Sequence, residues 1–504
     1  MDSLGELNKR LDELRKKLAD IALPGSRVTH LALVGYGSSE IEKFNTPAYK
    51  PTVRVLFESS FGPDSLIKNE LWMPTEWNGE LLGLGNGGYG GTLVSDYWKN
   101  TSLGFATVET DMGTSRLVSE DFPSFSYDVL KDYGWRATHI MTVVAKIITE
   151  AFYGKAPERS FFMGSSAGGL QGYSEAQRFP EDYDGILVGV PSNNALNYHV
   201  YNTWLFQKLV RADSTPYFYS ADTERINKCA VDFFRERGDG EAGDPFISFP
   251  YTDENTVDDF ISYLRDMIPE FSEEQLLALC DAYRGPVHSK TGEQIFAGLP
   301  IGAEIFCAYM TRDINHTRCG NKWFDPYFGE LDKSQHLEFA EDYEMLVRDL
   351  DPHLGAHEAN LGEFKARGGK LLSYSGAADR SGPFGDMLKY YNRVAKLFGG
   401  YDSISDFFRH FTLPGKAHGN NGRGTNVTYG NEDKLSLLDT VREWHKTGKA
   451  PEYLICAHKE EDSEGNISYS FSRRVYPYRA DMTEGKDFPK STDERFLDIP
   501  QYKE

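Results

Sequence analysis

Apolar positions along the chain change period several times, and each change marks a different element. Leu4, Leu7, Leu11, Leu14 and Leu18 recur at helical spacing among charged residues, which predicts an amphipathic helix at the N-terminus. From Thr52 to Leu84 the period falls to two. Val53, Val55 and Phe57 alternate with other residues, residues 67–74 form a second strand closed by Pro74, and a turn over 75–79 leads into a third at 80–84. Residues 103–111 read as a further strand. Helical spacing returns over 134–153, with Ile140, Val143, Val144, Ile147, Ile148 and Phe152 on one face. Then come an apolar run into Gly164, a helix to about Phe179 and a strand over 185–191. Strand, helix, strand, helix, strand is the order of an α/β sheet.

Between about 191 and 361 the β-α alternation is lost. Helical stretches, of which 271–282 is the clearest, mix with acidic loops such as 253–259, and we read the segment as an inserted lid domain. The alternation then resumes. The stretch 370–379 reads as an apolar strand ending in a loop that carries Asp379, a helix follows over about 384–398, and a strand over 407–413 ends in a loop carrying His418. The last clear helix spans about 433–447.

The candidate chemistry lies at the ends of these strands. Gly164-Ser165-Ser166-Ala167-Gly168 has the form of a nucleophile elbow, in which a strand turns sharply into a helix and exposes a serine hydroxyl at the apex. A Cβ at Gly164 or Gly168 would collide with the neighbouring backbone, so the glycines have a mechanical reason to be there. An ordinary glycine-rich turn would look the same, and the rest of the chain has to decide. A serine hydroxyl needs a base to take its proton and a carboxylate to orient that base. Ser166, Asp379 and His418 occur in the order typical of α/β hydrolases, each just past an apolar strand. Asp386 is a nearby alternative acid. His410 is a rival base, but it sits inside a strand pattern, where a packed histidine is the simpler reading. Earlier in the chain, Gly85-Asn86-Gly87-Gly88-Tyr89-Gly90-Gly91 follows a strand and can present backbone N–H groups to an oxyanion, with the N–H of Ala167 as second donor. A phosphate-binding loop competes for this stretch, but the Lys-Ser/Thr ending and a clear following helix are missing.

The expected architecture is therefore an α/β-hydrolase fold with a large inserted lid domain. An N-terminal helix occupies 1–25, the catalytic domain 26–195 with 360–504, and the lid 196–359.

Charge narrows the partners. Lys and Arg number 54 against 76 Asp and Glu, a net −22 that argues against nucleic acid and anionic membranes. No apolar run is long enough to span a bilayer. A small molecule is left as the expected partner, and a homo-oligomer is compatible with the sequence. The five cysteines, Cys229, Cys280, Cys307, Cys319 and Cys456, are sparse, odd in number and without C-x-x-C spacing, which fits a reducing compartment. With no signal-peptide pattern at the N-terminus, the expectation is a cytoplasmic protein.

Collinear blocks extend the argument. Glu70-Leu71-Trp72-Met73-Pro74 with Trp77-Asn78-Gly79, Gly85-Asn86-Gly87-Gly88, residues 106–111, residues 175–185, Gly368-Gly369-Lys370-Leu371, Leu413-Pro414-Gly415 and Arg474-Val475-Tyr476-Pro477-Tyr478 together resemble the tannase and feruloyl esterase family of α/β hydrolases. The resemblance implies an esterase with Ser166, Asp379 and His418 as its triad, and with Ala167 and Gly87 or Gly88 as oxyanion donors. It implies substrates that are esters of aromatic acids such as gallate, hydroxycinnamate or terephthalate, and no cofactor. Two departures stand out. The family's paired cysteines beside the serine and the histidine are replaced by Ser165 and Gly419. Its calcium motif, Asp-x-x-Asp-Gly-x-x-Asp-Gly, keeps Asp232 and Asp239-Gly240 but has Arg235 at the middle aspartate, so no calcium is expected, and the guanidinium could itself bridge the two carboxylates. An acyltransferase or lactone-processing enzyme with the same triad, and a non-catalytic ligand-binding homologue, are the alternatives.

Overall fold

The period-two segments of the N-terminal half fold as strands and the longer apolar stripes as helices in the structure, a computed structural model of the chain. It describes residues 4–34, 51–93, 97–119, 125–241, 243–250, 255–311, 323–329, 336–381, 384–419, 422–430 and 436–481. Cys319 lies outside the described residues, as does part of the acidic loop at 253–259. By internal contacts the chain divides into two units, Met1–Val188 with His353–Leu371 and Gly189–Pro352 with Leu372–Glu504. This differs from the division into 26–195 with 360–504 and a separate 196–359. The N-terminal helix is part of the first unit, and residues 196–352 group with 372–504.

In the first unit, seven strands are neighbours in the order β1-β2-β3-β5-β4-β6-β7. They are β1 (Ser26–Val34), β2 (Thr52–Ser59), β3 (Ile67–Pro74), β4 (Glu80–Leu84), β5 (Ala106–Thr110), β6 (Arg159–Ser165) and β7 (Gly185–Gly189). The pairs β1–β2, β2–β3 and β3–β5 are antiparallel, whereas β4 runs parallel to both β5 and β6. β4, β5 and β7 are buried along their whole length, which is why they read as near-continuous apolar runs. β1 was not expected. It is an edge strand whose residues are mostly half-exposed, and Arg27 and His30 interrupt its alternation.

Helix α1 (Leu4–Asp20) buries Leu7, Leu11 and Leu14. It docks on α2 (Ala137–Tyr153), where Lys17 Nζ donates to the Ala151 carbonyl at 2.8 Å and the Arg10 guanidinium lies 4.5 Å from the Phe152 ring centre. The apolar stripe of α2 is the predicted one, with Ile140, Val144, Ile148 and Phe152 buried and Val143 and Ile147 half-buried at its edge. Gly154, at φ 78°, ends it in a left-handed cap. Helix α3 (Ala167–Arg178) follows β6 directly.

The second unit contains α4 (Ala195–Leu209), α5 (Ser220–Glu236), α6 (Thr256–Met267) and α7 (Glu273–Arg284). α7 starts two residues later than the apolar spacing suggests because Ser272 caps it. Its hydroxyl accepts the Gln275 N–H at 3.2 Å, and Gln275 Oε1 accepts the Ser272 N–H at 3.0 Å. Strand β8 (Lys370–Gly376) carries the chain into this unit from the first, and α8 (Phe384–Leu397) leads on to β9 (Phe408–Leu413), its neighbour in the sheet. A three-stranded antiparallel sheet, β10 (Val427–Tyr429), β11 (Leu454–Glu461) and β12 (Ile467–Val475), was also not expected. Only the first half of β11 is buried, and charged residues fill the rest, so no period-two stretch is long enough to stand out. α9 (Leu437–Thr447) lies between β10 and β11.

Candidate active site

β6 ends at Ser165, α3 begins at Ala167, and Ser166 between them has φ 60° and ψ −116°. Such a conformation costs a non-glycine residue roughly 1–3 kcal/mol and persists only where the surroundings enforce it. Three glycines allow the turn. A Cβ on Gly164 would lie 2.7 Å from the Gly168 carbonyl oxygen, and one on Gly168 would lie 3.1 Å from the Asn86 carbonyl oxygen. A Cβ on Gly85, the third, would lie 2.7 Å from Gly168 Cα. The elbow expected from Gly164 and Gly168 is present, and Gly85 at the end of β4 completes it. Ser165 is exposed, and Ser166 is half-buried.

The glycine loop after β4 is held against α3. The Gly168 N–H donates to the Asn86 carbonyl at 2.7 Å, and the Asn86 N–H donates to Gln171 Oε1 at 2.8 Å. This brings Gly87 and Gly88 beside the helix that starts at Ala167. Both glycines border open space, since a Cβ on either would meet nothing within 4 Å. Tyr133 Oη donates to the Gly88 carbonyl at 3.0 Å. Asn86, Gln171 and Tyr133 escaped the sequence reading. The available signals were an asparagine inside a glycine run and a glutamine one turn beyond Ala167.

In the second unit, the structure brings Asp379 and His418 together. His418 Nδ1 lies 2.9 Å from Asp379 Oδ2 and 3.1 Å from Oδ1. Asp379 is buried and also accepts the Ser381 N–H at 2.8 Å, while His418 is partly exposed. With Nδ1–H donating to the carboxylate, Nε2 is the basic nitrogen. No disulfide holds this loop. It is laced instead by backbone bonds, from Ala377 N–H to Leu413 O at 3.0 Å and from Ala378 N–H to Lys416 O at 2.9 Å. Lys416 Nζ adds a bond to the Gly419 carbonyl at 2.7 Å, and burial lowers the Lys416 pKa. Lys416 also went unnoticed in the sequence.

The rivals are occupied elsewhere. His410 is fully buried, its Nδ1 2.7 Å from Ser373 Oγ and its Nε2 3.0 Å from Ser375 Oγ, and burial depresses its pKa to about 3. Asp386 Oδ1 accepts the Ala297 N–H at 3.0 Å.

The segment corresponding to the calcium motif is organised by arginines. Arg235 Nη1 meets Asp232 Oδ1 at 3.0 Å and Nη2 donates to the Asp244 carbonyl at 2.8 Å. Both Asp239 oxygens accept backbone N–H groups, from Ser248 at 2.7 Å and Phe249 at 3.0 Å. The guanidinium thus bridges Asp232 and the Asp244 carbonyl, while the Asp239 carboxylate is taken by backbone N–H groups of its own loop. The Asp244 carboxylate pairs with buried Arg473, with Nη1 2.7 Å from Oδ2. These residues do not fit a calcium ion, since the Asp232, Asp239 and Asp244 carboxylates are engaged by guanidinium or backbone N–H groups, and a guanidinium repels a cation.

Elsewhere among the described residues, His139, Glu175 and Asp182 have ligand-type atoms within 4.8 Å of one another. His139 Nδ1 is 2.6 Å from Asp182 Oδ2, and the Lys146 ammonium is 3.8 Å from Asp182 Oδ1. Burial first, then the Asp182 carboxylate, hold the Glu175 carboxyl well above its usual range. Asp182 is thus paired with His139 and, at longer range, with Lys146. Cys229, Cys280, Cys307 and Cys456 are free thiols.

The family described as tannase and feruloyl esterase matches residues 54–241 and 317–494. Feruloyl esterase B of Aspergillus niger is 29% identical over 490 residues, 93% of this chain and 92% of the relative. Feruloyl esterase C of Talaromyces stipitatus is 24% identical over 94% of this chain and 91% of its own. The crystal structure of feruloyl esterase B from Aspergillus oryzae superposes with a TM-score of 0.75 at 21% identity, covering 96% of this chain and 100% of that one. Tannin acyl hydrolase from Aspergillus niger gives 0.67 at 18% identity, over 96% and 95% of the two chains. The structural likeness fixes the fold as that of an α/β hydrolase. The match over most of the sequence goes further: this chain belongs to the tannase and feruloyl esterase family.

Proposed function

We propose that the protein is a serine carboxylic ester hydrolase acting on esters of aromatic acids of the gallate or hydroxycinnamate type. The observation that carries this reading is the strained Ser166 at the strand-to-helix turn, in a chain that separately pairs His418 with a buried Asp379. The names of the feruloyl esterase and tannin acyl hydrolase relatives support the substrate class.

In the proposed mechanism His418 Nε2 takes the Ser166 Oγ proton as Oγ attacks the ester carbonyl. Asp379 holds the imidazole in the right tautomer and stabilises its positive charge. The negative oxygen of the tetrahedral intermediate is met by the N–H of Ala167 and by Gly87 or Gly88. His418 returns the proton to the departing alcohol. Water, deprotonated by the same nitrogen, then cleaves the acyl-enzyme and restores the serine. These groups supply the nucleophile, the base and the oxyanion donors, so the proposed reaction calls for no cofactor or metal.

Ser166→Ala should lower kcat on a panel of galloyl, feruloyl and coumaroyl esters by more than about 10³-fold with the thermal unfolding curve unchanged. Turnover at the wild-type rate would contradict the assignment. Adding an acceptor alcohol should leave hydrolysis the main outcome, and predominant ester exchange would favour the acyltransferase reading.

A further inference from the structure

The loop that carries Gly87 contains Gly85, Gly87, Gly88, Gly90 and Gly91 and has little intrinsic stiffness. Oxyanion stabilisation, however, depends on donors fixed before the charge develops. The structure supplies the stiffness through two fully or nearly fully buried side chains, Gln171 and Asn86. The Asn86 N–H donates to Gln171 Oε1 at 2.8 Å, and the Asn86 carbonyl accepts the Gly168 N–H at 2.7 Å. Asn86 Nδ2 donates to the carbonyls of Thr110 at 2.7 Å and Thr92 at 3.1 Å, and its Oδ1 accepts from Gln171 Nε2 at 3.3 Å. Gln171 Nε2 also donates to Thr138 Oγ1 at 2.9 Å, which fixes the amide's orientation.

The consequence follows from peptide planarity. The plane that contains the Asn86 carbonyl also contains the Gly87 N–H, pointing the opposite way. Locking that carbonyl therefore aims the Gly87 donor. Gln171 stands four residues after Ala167 on α3, hence on the same face of the helix. One side chain thus ties the loop donor to the helix donor.

We propose that Gln171 is a positioning residue for oxyanion stabilisation: through Asn86 it sets the Gly87 N–H relative to the Ala167 N–H. The inference rests on the serine-esterase reading above. Gln171→Met keeps the volume and removes every bond. It should lower kcat on an aromatic ester by about 10- to 100-fold while KM stays within about twofold. The inhibition constant of a trifluoromethyl ketone analogue, which forms the tetrahedral adduct, should rise by the same factor. A merely structural glutamine would instead lower the unfolding temperature without that proportionality. Thr138→Val keeps the bonds to Asn86 but loosens the amide. It should show the same split at about two- to fivefold, and it decides the matter if Gln171→Met does not fold. A kcat within twofold of wild type in Gln171→Met, or unchanged in Thr138→Val where that variant decides, overturns the proposal, as does a loss confined to KM. Ser166→Ala is assayed beside them. If it still turns over, the esterase reading falls and the clamp's role with it. If it is dead while Gln171→Met is fully active, the clamp alone falls.

Discussion

His410 shows how one residue's surroundings settle its role. Burial holds its pKa at about 3, whereas an unfolded histidine titrates near about 6.5. Between those values the unfolded chain takes up a proton that the folded chain refuses. Its contribution is therefore fully present above about pH 6.5 and is lost as the pH falls toward 3, by up to roughly 1.4 kcal/mol per pH unit. His410→Gln should be less stable than wild type at pH 7.5, with the gap narrowing by pH 4.5, as measured by urea unfolding at several pH values. A gap that stays constant would contradict the buried, neutral histidine. His199, also held at about 3 by burial, keeps part of the acid sensitivity in both proteins. The sequence pattern marked His410 as a packed residue, because it lay inside an apolar alternation, and the structure buries it. The pattern did not reveal Lys416 or Gln171. Their roles depend on bonds to the Gly419 carbonyl and the Asn86 backbone, and no side-chain type announces which distant peptide it will hold.

At the scale of elements, the crossing of β4, β6 and α3 is the most constrained place around the nucleophile. Gly85, Gly164 and Gly168 let the three backbones touch, and a methyl on Gly85 would stand 2.7 Å from Gly168 Cα with only backbone to give way. Gly85→Ala should cost more than about 2 kcal/mol of stability and lower kcat. Gly87→Ala, whose added methyl meets nothing within 4 Å, should cost less than about 1 kcal/mol. Thermal and urea unfolding of the pair checks the contrast, and equal stabilities would contradict the close approach. Most elements that form this crossing were legible. Buried strands read as apolar runs and amphipathic helices as stripes, because periodicity reports burial directly. β1 and the β10–β12 sheet were not legible. Their exposed faces carry Arg27, His30, Lys459 and Glu460, so half of each pattern is missing. The start of α7 shifted for a different reason: a capping box, not an apolar residue, decides where that helix begins.

For the molecule as a whole, the family to which the chain belongs was legible from collinear blocks, while its division by contacts was not. Loss of β-α alternation marks where regular layering stops, but it does not say which segments share a core. The same gap applies to charge. Arg235 was visible as a departure, whereas Arg473, far along the chain, gave no sign that it would pair with Asp244. Since arginines occupy that segment, millimolar calcium or excess EDTA should leave the unfolding temperature unchanged. A calcium-dependent rise of several degrees would contradict the arginine-for-metal account. The central claim is that Ser166 is the nucleophile of an ester hydrolase, and stoichiometric labelling with a fluorophosphonate tests it most directly. The account predicts one adduct per chain, mapped to the peptide containing Ser166, with hydrolysis of an aromatic ester lost in step with labelling. An adduct on another residue, or full ester hydrolysis by a completely labelled protein, would contradict it.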